Sequence, residues 1–538
     1  MKILRSPFFS FLVCLWFLNC NTDTTPVHKV FKLNLSTQLT SLDPAFAKNL
    51  NNIWAVQQVF NGLVELDENL GIRPSIAKRW VVSENGLEYT FILRDDVFFH
   101  KDDCFKEGTR RVVAEDVVYS LSRLIDPELA SPGAWLFNGK VAEDTPFLAI
   151  DDTTFVMKLK SPFLPMLGIL SMQYCSIVPE EAVLHYGDDF RAHPIGTGPF
   201  KFKRWIENQA LFLSRNDTYF KEGLPHLEGV KIQFIPDKKI AFLELLNGKL
   251  DYVKGLESSF INELLTRDGA LQDDKKSILQ YRKSPYLNME YIGINLEACP
   301  PDSPLRKKKV RQALNYGLDR SLMLSALRNN VGKAADAGFI PRGLPAHDPK
   351  QVSGFSYSPK KAAELMAEAG YPGGEGMPLI TIFTNKDYLD LTTYAVKQWE
   401  RIGFKIKIDV MENALLRDGM RKSQIPFFRA SWIADYPEAE NFLCVFYGDN
   451  PAPPNYTRFS NQTFNQLYEK SVEEVNDSIR YNMYQEMDKI LLEEAPVVFL
   501  FYDETANFYS ARVQNISNDA INNLRLENVE IDLNKSNN

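Results

Sequence analysis

Between Lys360 and Val410, strand-like and helix-like runs alternate, and this alternation narrows the fold more than any other feature of the chain. A helix-like segment over 360–369 opens after Ser358-Pro359 and closes at Gly370-Tyr371-Pro372. A strand-like run over 379–384 leads into a helix expected from Thr384 to Arg401, with Trp399 near its end. Ile402-Gly403 then precedes a strand over 404–410. Earlier in the chain, helix-like stretches at 114–125, 239–247 and 310–318 are interspersed with strand-like runs at 29–35, 88–93, 154–159, 230–235 and 291–296. Mixed elements that alternate in the last half imply an α/β architecture. About 510 residues remain after a cleavable leader, too many for one core, so two or three are expected.

The leader is read from the first 19 residues. Lys2 and Arg5 form a basic start, and 7–18 is apolar but too short to span a bilayer. Phe17-Leu18-Asn19-Cys20 is similar to a lipobox, although Phe17 and Asn19 depart from its usual residues. Cys20 is therefore expected to be lipidated, with 20–27 as anchor and tether; ordinary cleavage nearby is the alternative. Loss of Lys2 and Arg5 moves the formal net charge from −8 to about −10. That balance argues against a nucleic-acid surface. The one basic cluster, Arg306 to Lys309 with Arg311, reads as a solvated face.

No catalytic constellation stands out. Of six cysteines, Cys104, Cys175, Cys299 and Cys444 would remain in the body without C-x-x-C spacing, so one or two disulfides of undetermined pairing are open and a zinc site is not favoured. The six histidines are scattered, and no metal site or cofactor is expected.

The segment from Arg429 to Leu443 carries the most chemistry. A nearly uncharged run from Ile425 to Ala434 contains Arg429 and ends on Asp435. On an extended strand Arg429, Ser431, Ile433 and Asp435 share one face and Trp432 points to the other. An anchor for each sign of charge suits a zwitterionic ligand. The structural alternative is that Asp435 or Tyr436 caps a helix opening at Pro437, and that Arg429 pairs with an acidic neighbour.

Several blocks, in order, resemble one family. They are Leu42-Asp43-Pro44 with Phe60-Asn61-Gly62-Leu63, Pro74 to Trp80, Phe91 to Phe99, Val113 to Ser120, Gly196-Thr197-Gly198-Pro199-Phe200, Lys309 to Asn315 with Asp319-Arg320, and the 429–443 segment itself. The chain resembles a bacterial extracellular solute-binding protein of the dipeptide/oligopeptide/nickel-binding family that serves ABC importers. Gly196 and Gly198 also read as positions for positive φ in a tight turn.

The resemblance implies a two-lobed periplasmic-binding-protein fold of the type II, cluster C-like kind, with an inserted subdomain and a ligand cleft between lobes. Lobe I would comprise 28–60, 190–287 and 504–530, the insert 61–189 and lobe II 288–503. Hinge strands would lie near 282–290 and 497–503. It further implies a monomer that is extracytoplasmic, periplasmic or at the cell surface, held to the membrane by its lipid. Such a protein is no enzyme: it captures a dipeptide or oligopeptide and delivers it to permease subunits. By resemblance, Asp435 would bind the ligand's α-ammonium, and the main chain of Ala430, Ser431, Trp432 and Ile433 would pair with it. Arg429 would take a carboxylate, and Trp432 would wall a side-chain pocket. Lys48, Asn49 and Leu50 would face them from lobe I, with Glu412 and Asn413 on a nearby loop. Other cargo (a metal chelate, haem, an opine or a sugar), a secreted hydrolase, or an adhesin or chaperone on the same scaffold are the alternatives.

Overall fold

The computed structural model describes residues 29–255, 261–517 and 519–535. The leader, Cys20 and the tether lie outside them. An eleven-stranded mixed sheet runs through the molecule. Its main strands in chain order are β1 (Val30–Leu35), β2 (Phe200–Ile206), β3 (Ala210–Arg215), β4 (Gly229–Phe234), β5 (Tyr252–Lys254), β6 (Leu279–Ile294), β7 (Leu379–Thr384), β8 (Lys405–Val410), β9 (Phe427–Ile433) and β10 (Val497–Ser510). Across the sheet the order is β8-β7-β9-β6-β10-β5-β1-β4-β3-β2, and the short strand Lys333–Ala334 pairs with β10.

Two regions follow from this order. β7, β8 and β9 run parallel to one another, and β9 pairs antiparallel with β6. Helices cover both faces there: Val310, Leu314, Ala395 and Trp399 pack on one side, and Leu416, Met420, Phe442 and Met487 on the other. At the other end β1 lies parallel to β4 and β5. Residues 61–189 carry a separate four-stranded sheet, yet they share one continuous apolar core with β1, β3 and β4. β6 and β10, the two longest strands, cross between the regions. Their ladder is interrupted between Pro285 and Met289, where proline supplies no amide hydrogen.

Most expected elements appear with small shifts. The helix expected from Thr384 instead begins as a 3-10 turn over Lys386–Tyr388, because Asn385 accepts from the Tyr388 amide, and the α-helix runs Leu389–Glu400. Gly196 and Gly198 do not adopt positive φ. They are needed for close approach, since a Cβ at either would collide with the backbone of Val59 at the end of the helix Leu50–Val59. Arg311 is not on a solvated face. It is buried and donates to the carbonyls of Leu305, Arg306, Glu494 and Ala495. Cys104, Cys175, Cys299 and Cys444 are all free thiols, so no disulfide staples these cores.

Candidate functional site

Open α/β sheets form crevices beyond the carboxyl ends of their parallel strands. In the β7–β8–β9 region those ends are Thr384, Val410 and Ile433, so the loops that follow carry Tyr388, Glu412, Asn413 and Asp435 to one side. In the other region they are Leu35, Phe234 and Lys254.

Register fixes the faces of β9. Ile433, Ser431 and Arg429 lie opposite Asn288, Glu290 and Ile292, while Trp432 and Ala430 lie opposite Met289 and Tyr291. Arg429, Ser431 and Ile433 thus share a face, as alternation predicts. The strand ends at Ile433, however, and Asp435 lies beyond it. Toward β6 every residue of β9 is paired. Toward β7 the only pair is Phe383 with Phe428, so from Ala430 onward that edge of β9 has no strand partner among the described residues.

The two charges of the segment differ. Arg429 is buried, ion-paired to the buried Glu290, and lies against the Tyr388 ring. Burial pushes its guanidinium well below the usual range, and Asp503 opposes that shift. Glu290 also accepts from Asn288 Nδ2 at 2.9 Å. The same nitrogen donates to Asp503 at 3.2 Å, and Asp503 is ion-paired with Arg328 at 2.6 Å. Arg429 thus has an acidic neighbour for its partner, the structural alternative left open by the sequence, rather than a charge held free for a ligand carboxylate.

Asp435 has no lysine or arginine within ion-pair distance among the described residues. Solvent reaches it, yet protein crowds it on its other sides. That crowding raises its carboxyl to about 6, with Glu440 adding to the rise and Asn441 opposing it. Nor does it cap a helix. The helix after it is Glu440–Leu443, with Ala439 at the cap position, three residues later than Pro437 implied. Asn441 Oδ1 instead accepts from the Asp435 amide at 3.2 Å and from Trp432 Nε1 at 3.1 Å, which holds the turn against the end of β9.

Asp435 sits on a seam. Ala434 belongs to the core around β6 and β9, whereas Tyr436 is buried in the core shared by β1 and residues 61–189. A Cβ on Gly168 would come into van der Waals contact with Tyr436 and Pro437, and Tyr174 lies within electrostatic reach of Asp435. The chain passes from one core to the other at this residue.

The remaining expected residues divide. Trp432 is half-buried and packs toward the core beside Asn441. Ser431 is half-buried, Ile433 is 47% exposed and Ala430 is buried. Asn49 is a helix cap, accepting from the Asn52 amide at 3.0 Å, and Leu50 packs on the first core. Lys48 is exposed beside them. Glu412 is exposed without a side-chain capping bond, and Asn413 bonds Asn385. Sequence reasoning missed Glu290, Tyr388 and Asp503. Glu290 and Asp503 fall in the two segments marked as hinge strands. Two cavities of about 80 and 410 Å³ lie elsewhere, one beside Gln57, Asn61 and Tyr219 and one between Pro300–Leu305 and β7.

Comparison with known proteins agrees with this architecture. The model of the bacterial extracellular solute-binding proteins, family 5 Middle, matches residues 71–454. The heme-binding protein A of Haemophilus influenzae is 29% identical over 460 residues, 82% of this chain and 81% of that protein. Glutathione-binding protein GsiB of Salmonella typhimurium is 25% identical over 484 residues, 88% of this chain and 89% of its own. The structure of HbpA2 from Haemophilus parasuis superposes with a TM-score of 0.81 at 25% identity, covering 94% of this chain and 100% of that one. The peptide complex of DppA from Helicobacter pylori gives 0.76 at 23% identity over 93% and 98%, a likeness of fold. The α/β architecture is thus the two-lobed periplasmic-binding-protein fold. Proteins of this kind are extracytoplasmic and serve ABC importers as binding proteins rather than enzymes. The chain belongs to the bacterial extracellular solute-binding proteins of family 5.

Proposed function

We propose that this protein captures peptides in the interlobe crevice and delivers them to an ABC permease, as a monomer held to the membrane by lipid on Cys20. The division into lobe I (28–60, 190–287, 504–530), insert (61–189) and lobe II (288–503) belongs to the same proposal. One observation carries the reading. Asp435 is a carboxylate with no ion-pair partner among the described residues, on the seam between two cores and just after a strand whose free edge begins at Ala430. An extended peptide could add to that edge by main-chain pairing, a mode that gives affinity without reading side chains. Its α-ammonium would then meet Asp435. The names of the relatives divide between heme and glutathione. The unpaired carboxylate favours the second kind of cargo, a small peptide with a free ammonium.

Calorimetric titration of free and N-acetylated peptides against wild type and Asp435→Asn tests the reading. Losing one partner of a desolvated charge pair costs about 2–5 kcal/mol, or roughly 30- to 5,000-fold in affinity. Acetylation and substitution should each cause that loss, and together little more, because both delete the same pair. Equal affinity in all four combinations would remove Asp435 from the site.

A further inference from the structure

We propose that Asn441 is the positioning residue of the ammonium site: its side chain fixes where Asp435 stands and ties that residue to the Trp432 ring, so the anchor is in place before a peptide arrives. The proposal rests on the peptide reading above and names what holds its anchor.

The neighbouring strand supports the chain only as far as Ala434, whose amide donates to the Leu287 carbonyl at 2.8 Å. The next amide, that of Asp435, leaves the ladder and donates to Asn441 Oδ1 at 3.2 Å. The same oxygen accepts from Trp432 Nε1 at 3.1 Å. An amide oxygen has two lone pairs, so one atom serves both donors. Neither donor has another partner among the described residues. Take away that oxygen and the turn loses its only side-chain tie, while the indole N–H loses its acceptor.

Asn441 is itself immobile. It is 2% exposed and lies in the short helix Glu440–Leu443, between residues that are also buried. Its amide donates to the Glu438 carbonyl at 3.1 Å, and its own carbonyl accepts from Cys444 Sγ at 3.2 Å. Next to it, Glu440 accepts from the Tyr436 hydroxyl at 2.6 Å and from the Tyr468 hydroxyl. Phe442 and Leu443 pack into the core around β6 and β9. A binding group is only as well placed as the residues that support it, and this support is packed on all sides.

The choice of an amide also suits the charge. Among the described residues, the titratable groups around Asp435 are Glu440, Cys444 and Tyr174. Glu440 and crowding by the protein raise the Asp435 carboxyl, and Asn441 opposes that rise. An amide favours the ionised carboxylate without neutralising it. An arginine in its place would have done both, as Glu290 and Arg429 do for each other.

The test offers an equimolar mixture of random tri- to pentapeptides, free and N-acetylated, to wild type, Asn441→Leu and Asn441→Asp. Bound species are read by native mass spectrometry at pH 7, and free-peptide retention is followed from pH 5 to 8. Wild type should retain free over acetylated peptides by roughly 30-fold or more. Asn441→Leu should cut that ratio about tenfold or more although Asp435 is intact, the size expected for a lost hydrogen bond at a charged site. Its retention of free peptides should also begin to fall at a higher pH than in wild type, because nothing then opposes the rise of the carboxyl. Asn441→Asp keeps an oxygen for both N–H groups and should hold the ratio within about threefold of wild type. Should Asn441→Leu not fold, Asn441→Ser, whose hydroxyl is too short to reach both groups, is read in its place. An undiminished ratio with an unshifted pH profile in the folded variant would make Asn441 a structural residue only and overturn the assignment, while the peptide reading stands. If folded wild type retains no peptide, or retains both kinds equally, the peptide reading fails and this proposal with it.

Discussion

Arg429 sits in the middle of β9 with Glu290 of the neighbouring strand as its partner, whereas Asp435 lies two residues past the end of that strand with no cation beside it among the described residues. Both interrupt the same apolar stretch, and six positions separate them. Their difference comes from what the strand can shield. In mid-strand a side chain is enclosed by its own sheet face and by the 385–388 turn, so a charge survives there only if an opposite charge is built in. At the strand's end the backbone leaves one core for another, and the carboxylate faces the gap between them. A charge buried with its partner is already satisfied; one left without a partner at a seam can be completed by a ligand.

The largest effect should come from breaking the enclosed pair. Arg429→Met leaves the Glu290 carboxylate buried without its cation, which typically costs about 3–5 kcal/mol. Adding Glu290→Leu should recover most of that loss, because two apolar groups of similar volume need no compensation. Denaturant midpoints of the two variants and wild type measure it. An unchanged midpoint in Arg429→Met, together with lost affinity for free-acid peptides, would reverse the comparison and restore Arg429 to the site.

The open charge should respond to pH. The Asp435 carboxyl is raised to about 6 by the protein crowding it, so below that value protons compete with the ligand's ammonium. Peptide affinity should start to fall near pH 6 and approach about a tenfold loss per pH unit below it. Stability of the ligand-free protein runs the other way. A carboxyl raised on folding contributes stability that is fully present below its unfolded value and is lost as pH rises through about 6. Titrations between pH 5 and 8 on wild type and Asp435→Asn separate the two, since the variant should bind weakly and without this dependence. The same profile in both proteins would assign the titration to another group.

Much of this was legible in the sequence because it depends on local order. The helices near 114–125 and 360–369 and the strands at 88–93 and 379–384 follow from apolar spacing and from Gly and Pro punctuation, and they appear where expected. The run ending on Asp435 was visible as a strand with a carboxylate after it. Glu290 as the partner of Arg429 was not, because the β6–β9 register joins residues far apart in sequence. Gly196 and Gly198 look the same in sequence whether they serve positive φ or close approach. Only the position of Val59 tells them apart.

The smallest expected effect concerns Asn49, which separates a structural residue from a ligand contact on the lobe I side. Its Oδ1 accepts the Asn52 amide at 3.0 Å and so caps the helix Leu50–Val59, which carries the fully buried Trp54. Four amides at a helix start lack intrahelical partners, and replacing such a cap by alanine costs about 0.5–2 kcal/mol. Asn49→Ala should therefore lower the denaturant midpoint modestly, and Asn49→Asp, which caps equally well, should restore it. Peptide affinity should be unchanged in both, because the cap acts through the helix and the anchor at Asp435 remains. A tenfold loss of affinity in Asn49→Ala with an unchanged midpoint would make Asn49 a ligand contact. The contrast between enclosed and open groups would then extend to lobe I, with Asn49 on the open side.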